Sequence, residues 1–198
     1  MQTRNERGFS LIELMVSVTL FSVIMLVSVG SLLSLVDANR KARALESVMN
    51  NLNIAIDGMV RSMRMGNAFN CNSTAVPDAE GGGDCPNGED SVSFAPFGAD
   101  PTVQTDRWEY AFIEDENGGR LWRSREGGLN LVPITAPEVR IDDVSFYVYG
   151  TPRGNTAALN TTQPKIVMVI KGTAGIGNAK TETTFYIQAT AVQRVLDL

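Results

Sequence analysis

The amino-acid sequence predicts an α+β fold in which one long N-terminal helix packs on an antiparallel β-sheet. Two observations lead to this prediction. In the first third of the chain, apolar residues fill a long uncharged run and then recur along one face of a helix. After residue 90 the pattern changes to alternating apolar and polar residues with turn signals, which is typical of strands. The 198 residues suffice for an anchor and one modest domain.

Composition indicates which classes of function are not expected. The chain has 17 Lys and Arg against 22 Asp and Glu, no histidine, and a formal net charge of −5. We expect no nucleic-acid partner, because phosphate binding needs concentrated Lys and Arg and the sequence shows no basic cluster. Without histidine there is no Ser-His or Cys-His nucleophile system. A Ser-Lys dyad remains open, but we expect no enzymatic activity.

The first element is predicted to be a transmembrane helix over residues 9–36. Residues 14–36 carry no charge and as a helix would span about 35 Å, enough to cross a bilayer with some tilt. A cleavable secretory signal is the alternative, since small residues at 28–30 suit a signal peptidase. The apolar run is longer than the core of a usual signal, however, and Glu13 stands at its start. We therefore favour the membrane helix.

Two cysteines indicate the compartment of the remaining chain. Cys71 and Cys85 bracket a segment rich in Gly, Asp, Asn and Pro. Such a pair predicts one disulfide, which requires an oxidising compartment, with two free thiols as the alternative. Basic residues both precede and follow the helix, so flanking charge leaves its orientation ambiguous. From the cysteines we expect the C-terminal part outside the cytoplasm, and no zinc site, since structural zinc needs four ligands.

Beyond the membrane, residues 37–66 are predicted to continue the helix as an amphipathic segment. Gly66 and Asn67 supply an end signal, so a helix from Phe9 to Met65 would be about 85 Å long. The methionines of the apolar face are interpreted as packing residues. The apolar face comprises Leu45, Met49, Leu52, Ile56, Met59 and Met63, and the opposite face comprises Arg43, Glu46, Asn50, Asp57, Arg61 and Arg64.

The last part, residues 91–198, is predicted to form the sheet, and residues 67–90 are predicted to be a disulfide-closed loop. Residues 107–125 read as a hairpin with Trp108, Tyr110 and Phe112 on one face. The turn of this hairpin is predicted at residues 116–119. The other predicted strands are 91–94, 139–150, 164–172 and 181–195.

Two acidic segments are candidates for a cation site. Residues 114–119 superficially suggest a calcium loop, but the EF-hand spacing needs a glycine where Arg120 stands. Residues 80–90 place several acids on a glycine-rich loop. We interpret the first as a turn and the second as a solvated linker, with a weakly held structural calcium ion as the alternative. No cofactor is expected.

The N-terminal segment resembles a known processing signal. A short basic leader ends in Gly8 and is followed by Phe9, a small polar residue, two aliphatic residues, Glu13 and a long apolar helix. This pattern is similar to the type III signal of type IV pilins and type II secretion pseudopilins. The resemblance implies a pilin-like fold, a leader of residues 1–8, cleavage between Gly8 and Phe9 by a membrane prepilin peptidase, and N-methylation of Phe9.

The resemblance also suggests a role for Glu13. An unpaired acid at the centre of a membrane helix costs about 3 kcal/mol, so it indicates a functional site. Cleavage after Gly8 creates an ammonium group on Phe9. In a helix packed alongside and displaced axially, that group can meet Glu13 and recover much of the desolvation cost. The alternative, which can coexist, is that Glu13 interacts with its own helix N-terminus, whose dipole favours a carboxylate.

Later segments loosely resemble the J-type minor pseudopilins of type II secretion and related minor pilins, chiefly over residues 118–128, 136–150, 163–172 and 187–198. This implies a structural subunit of the filament or its tip complex. Its partners would be the peptidase, other pilins or pseudopilins, the inner-membrane assembly platform and membrane lipid. It would first span the inner membrane once, with its N-terminus cytoplasmic and its domain extracytoplasmic. The alternatives are a pilin-like adhesin or DNA-uptake subunit, and a periplasmic enzyme or binding domain on an uncleaved anchor.

Overall fold

The computed structural model describes residues 8–71, 82–115, 118–137, 139–151, 163–175 and 182–194. Within these residues a long helix packs on an antiparallel sheet, which confirms the predicted pilin-like α+β fold. The elements are α1 (Leu11–Arg64), β1 (Asn67–Asn70), β2 (Cys85–Glu89), β3 (Ser91–Ala95), β4 (Trp108–Asp115), β5 (Gly118–Ser124), β6 (Val132–Pro133), β7 (Arg140–Tyr149), β8 (Lys165–Ala174) and β9 (Thr183–Val192).

Helix α1 is capped by the Ser10 side chain at its start and by the backbone N–H of Arg194 at its end. Ser10 has an extended backbone, and its side-chain oxygen accepts a hydrogen bond from the Glu13 N–H at 3.3 Å. The helix therefore begins two residues later than the predicted Phe9. At the other end, the N–H of Arg194, just beyond β9, donates to the carbonyl oxygen of Arg64 at 2.8 Å. This bond satisfies one of the carbonyl groups that a helix end leaves without a partner.

The two halves of α1 have different surroundings. Residues 11–36 are exposed on every side, and this part of the helix is long and apolar enough to cross a membrane. Farther along, one face is buried against the sheet, as the apolar spacing predicts, and the predicted polar face is exposed. The buried residues are Val48, Leu52, Ala55, Ile56, Met59 and Met63, with Leu45 and Met49 packed at the margin.

The strands pair antiparallel in the order β1-β3-β4-β5-β7-β8-β9. Strands β7, β8 and β9 pair along most of their length. In contrast, β5 meets β7 at the pair Gly119↔Ile141, and β2 lies along the same edge of β7, opposite Phe146 and Val148. The sheet thus consists of two halves that join near the start of β5 and separate toward its end.

The strands from β3 onward follow the sequence prediction closely, except for the short β6, which it missed. The hairpin of β4 and β5 has the pair Asp115↔Gly118 beside its turn, and residues 116 and 117 of that turn lie outside the described residues. Strands β1 and β2 lie in the segment predicted as a loop. Pro86 and Gly88 within β2 are turn signals in sequence, and the strand forms there along the open edge of β7.

Aromatic rings fill the core beneath the second half of α1. The ring of Phe94 lies 5.8 Å from that of Phe69, 6.0 Å from that of Tyr110 and 6.2 Å from that of Trp108, measured between centroids. The Tyr110 hydroxyl lies 2.7 Å from the Ser62 hydroxyl on the helix. Burial raises the pKa of Tyr110, so its hydroxyl is neutral at physiological pH and joins helix and sheet by a hydrogen bond.

Arg107 is a buried cation to which the sequence analysis gave no role. Its side chain is fully buried and donates to the carbonyl oxygen of Ala68 at 2.8 Å, to the Ser93 hydroxyl at 3.0 Å and to the carbonyl oxygen of Pro101 at 3.2 Å. Burial lowers the pKa of Arg107 to about 10, and the nearby Glu109 carboxylate acts in the opposite direction. The charged guanidinium therefore ties β1, β3 and the following loop together.

We expect Arg107→Ala to lower the free energy of unfolding by about 3 kcal/mol, because the buried Ser93 hydroxyl and two partly buried carbonyl groups lose their donor. Urea unfolding of the full chain in detergent micelles, followed by tryptophan fluorescence, measures the loss. The matched control is Arg125→Ala, which removes an exposed arginine just after the hairpin of β4 and β5. It should lower the free energy of unfolding by less than about 1 kcal/mol. Equal losses in the two variants would contradict the assigned role.

Candidate functional site

The residues predicted for processing and assembly lie at the start of α1, away from the folded domain. Gly8 and Phe9 precede the helix, and Glu13 is in its first turn. All three are exposed, and Phe9 has 82% of its surface accessible. The local sequence alone thus places them together on an accessible helix end, within reach of an enzyme or a neighbouring helix.

Glu13 occupies the third helical position after the Ser10 cap. Its N–H bonds to both the side chain and the carbonyl oxygen of Ser10, at 3.3 and 3.1 Å. Ser and Glu at this spacing have the sequence of a capping box, and the helix dipole favours a carboxylate in the first turn. Among the described residues, no side-chain hydrogen bond or ion pair engages the Glu13 carboxylate. It has a favourable local position and remains open to a partner from another chain.

Three hydroxyl side chains in the apolar half of α1 form hydrogen bonds within the helix. The hydroxyl groups of Ser17, Thr19 and Ser22 donate to carbonyl oxygens three or four residues earlier, at 2.7 to 2.9 Å. Lipid offers no hydrogen-bond partners, so these local bonds make the hydroxyl groups compatible with a membrane. Glu13 is the only charged residue between Gly8 and Val36.

The predicted disulfide joins the two halves of the sheet. Cys71 follows β1 and Cys85 begins β2, with their Cα atoms 6.1 Å apart. The bond therefore links the edge strand of one half to a strand that pairs with β7 in the other. Beside it, Asp84 accepts hydrogen bonds from the N–H and hydroxyl of Thr151 at 2.8 and 2.6 Å. The link lies where β5 and β7 have separated.

The candidate cation segments fall partly within the structure. Across the described residues, acidic and cysteine side chains form no group of three or more that could hold a metal ion. Residues 72–81, which include part of the acidic loop, and residues 116 and 117 lie outside those residues. Of the loop acids that are described, Asp84 is engaged by Thr151.

An open groove of about 630 Å³ lies on the sheet face away from α1 and is the place to look for catalytic groups. It is lined by the buried Glu109, by Ser91, and by Gln104, whose amide donates to the Gly127 carbonyl oxygen at 3.0 Å. Its lining within the described residues includes no lysine. The Ser-Lys dyad that the sequence left open is therefore not assembled in this groove.

Comparison with known protein families matches residues 3–29 to the prokaryotic N-terminal methylation motif. The match covers Gly8, Phe9 and Glu13 and extends into the apolar helix, and it implies processing by a prepilin peptidase. Searches of curated proteins and of solved structures gave no match. The comparisons thus support a pilin-type N-terminus and do not distinguish among kinds of subunit.

We expect the double variant Cys71→Ser/Cys85→Ser to lose about 3 kcal/mol of stability under the chain-entropy model. The largest effect is expected where the two halves of the sheet separate, in β1 and β2. Hydrogen exchange of the full chain measures this: amides of β8, which report global unfolding, should exchange faster by the global loss, and amides of β1 and β2 should exchange faster by more than that. Uniformly faster exchange across all strands, or no change, would contradict a local clamp.

Proposed function

We propose that this chain is a structural subunit of a type IV pilus or a type II secretion pseudopilus. The observation that carries the proposal is the methylation motif at residues 3–29, on a helix that is exposed over residues 11–36 and packed on a sheet farther along. A filament subunit that is first inserted in a membrane and then assembled needs three parts. These are a cleavable leader, an apolar helix segment and a folded domain packed on the same helix.

Processing would create the assembly contact. Cleavage between Gly8 and Phe9 leaves an amine on Phe9, and methylation keeps it protonatable. Ser10 remains in the mature chain, so the helix cap survives cleavage. The Phe9 ammonium of one subunit then pairs with Glu13 of an axially displaced neighbour. In the low dielectric between apolar helices, this pairing offsets much of the cost of burying the two charges.

Within this class we favour a minor subunit, either a J-type minor pseudopilin or a related minor pilin. The segments that carry this resemblance include β7, β8 and β9, which are neighbouring strands of one half of the sheet. Because the chain retains Glu13, it can rest on further subunits below it. We assign it to the filament or its tip complex, in type II secretion or in pilus biogenesis, without enzymatic activity of its own.

The proposed division of the chain follows from this role. The leader is 1–8, the membrane and assembly segment is 9–36, and the spine of the domain is 37–66. A disulfide-closed segment, 67–90, then precedes the extracytoplasmic sheet at 91–198. The partners are the prepilin peptidase, other pilin-type subunits, the inner-membrane assembly platform and lipid, with the chain spanning the inner membrane before it enters the filament.

The N-terminal mass tests the processing step most simply. After coexpression with a prepilin peptidase, we expect a mature chain that begins at N-methylated Phe9. Gly8→Val, which puts a branched side chain at the cleavage position, should keep the leader, and Gly30→Val serves as the matched control that is still processed. A mature chain that begins at Met1, or after Gly30, would contradict the proposal.

Glu13→Ala should separate membrane insertion from assembly. We expect insertion to be unchanged or improved, because the variant removes a charge that costs about 3 kcal/mol within the membrane. Incorporation into the filament or tip complex should fall several-fold, since the Phe9 amine of a neighbour loses its partner. Quantitative mass spectrometry of sheared filaments measures this, with Ser17→Ala as the control. Normal incorporation would restrict Glu13 to a role at its own helix end.

A further inference from the structure

Three arginines from two distant parts of the chain lie close together at the end of the domain farthest from the membrane segment. Arg61 and Arg64 belong to the last turn of α1, and Arg194 follows β9. The backbone hydrogen bond from the Arg194 N–H to the Arg64 carbonyl oxygen, 2.8 Å long, holds the two elements together. An open groove of about 410 Å³ is lined by Arg61, Arg64 and Arg194 together with Asp57, Val60 and Met65.

The three guanidinium groups are available for binding. All three residues are exposed, and their side chains make no hydrogen bond or ion pair with the part of the chain that the structure describes. The dipole of α1 favours cations in its last turn, which accounts for Arg61 and Arg64. It does not account for Arg194, which is brought to the groove by a different element. The groove is lined by three arginines and one carboxylate, Asp57, so its charge is net positive and favours an anionic partner.

The position of the groove excludes the lipid headgroups of the chain's own membrane. Between Val36, where the apolar segment ends, and Arg64, α1 rises about 42 Å. A nucleic acid is disfavoured as well, because phosphate backbones are bound along extended basic surfaces, whereas this groove is local. A protein carboxylate cluster fits better, since the planar guanidinium fork binds carboxylates through two parallel hydrogen bonds.

We propose that the groove of Arg61, Arg64 and Arg194 docks an acidic segment, rich in Asp and Glu, of the protein subunit that lies above this chain in the filament. The identity of that neighbour rests on the proposed function; the acidic chemistry rests on the groove. In a filament of axially displaced subunits, the end of the domain away from the membrane faces the subunit above. Partly exposed charge pairs there set the register and speed association more than they add affinity.

Binding of a labelled acidic peptide tests the groove directly. With the full chain in detergent micelles and fluorescein-labelled hexaglutamate, we expect saturable binding that weakens as salt rises from about 0.05 to 0.3 M. The triple variant Arg61→Gln/Arg64→Gln/Arg194→Gln should bind about tenfold more weakly, because three charge pairs are lost together. Arg43→Gln, an exposed arginine on the same helix nearer the membrane, should bind as the wild type does. Equal binding by wild type and triple variant would overturn the proposal.

Three further measurements sharpen the test. Binding of a single-stranded oligonucleotide more tightly than hexaglutamate would also overturn the proposal, in favour of a phosphate-binding site. An unchanged urea midpoint for the triple variant establishes that it folds.

In cells, the triple variant should still be cleaved and methylated at Phe9, while its incorporation into the filament falls several-fold. Loss of processing in the wild type would instead contradict the proposed function, and the peptide assay would still decide the groove.

Discussion

The packing of one face of α1 on the sheet is the contact on which the rest of the molecule depends. Leu52, Met59 and Met63 are almost fully buried there, whereas the same helix is exposed on every side over residues 11–36. No break separates the two parts, so a single helix passes from an exposed apolar segment to a protein core. The direction of the folded domain is therefore fixed by the helix, and the end of the domain near Arg64 points away from the apolar segment.

That far end, where the sheet divides, is held by three separate ties. The disulfide of Cys71 and Cys85 joins the two halves, buried Arg107 ties β1 and β3 to the loop after β3, and the Arg194 N–H closes the end of α1. Surfaces that recognise partners are commonly loops and element ends on a rigid scaffold. The ties give the arginine groove such a scaffold, while the opposite end of the chain carries the processing signal.

The helix, the hairpin and the three C-terminal strands could be predicted from sequence, because each satisfies a local period against one common core. The candidate processing and assembly residues could be proposed from sequence, since Gly8 and Glu13 lie in one short linear motif that the family comparison also matches. Strand β2 could not be predicted from sequence, because Pro86 and Gly88 signal a turn. It forms a strand only because it pairs with the open edge of β7. The burial of Arg107 and the meeting of Arg194 with Arg64 depend on residues distant in sequence, which no local pattern reveals.

Hydrogen exchange of the full chain in lipid nanodiscs tests most directly whether one helix serves two environments. We expect two protected blocks in α1. Amides of residues 14–36 should stay protected at urea concentrations that unfold the sheet, because lipid protects them, whereas amides of residues 48–63 should lose protection together with β8 and β9. Loss of both blocks at the same urea concentration would contradict the account, because the apolar half would then depend on the protein core and not on the membrane.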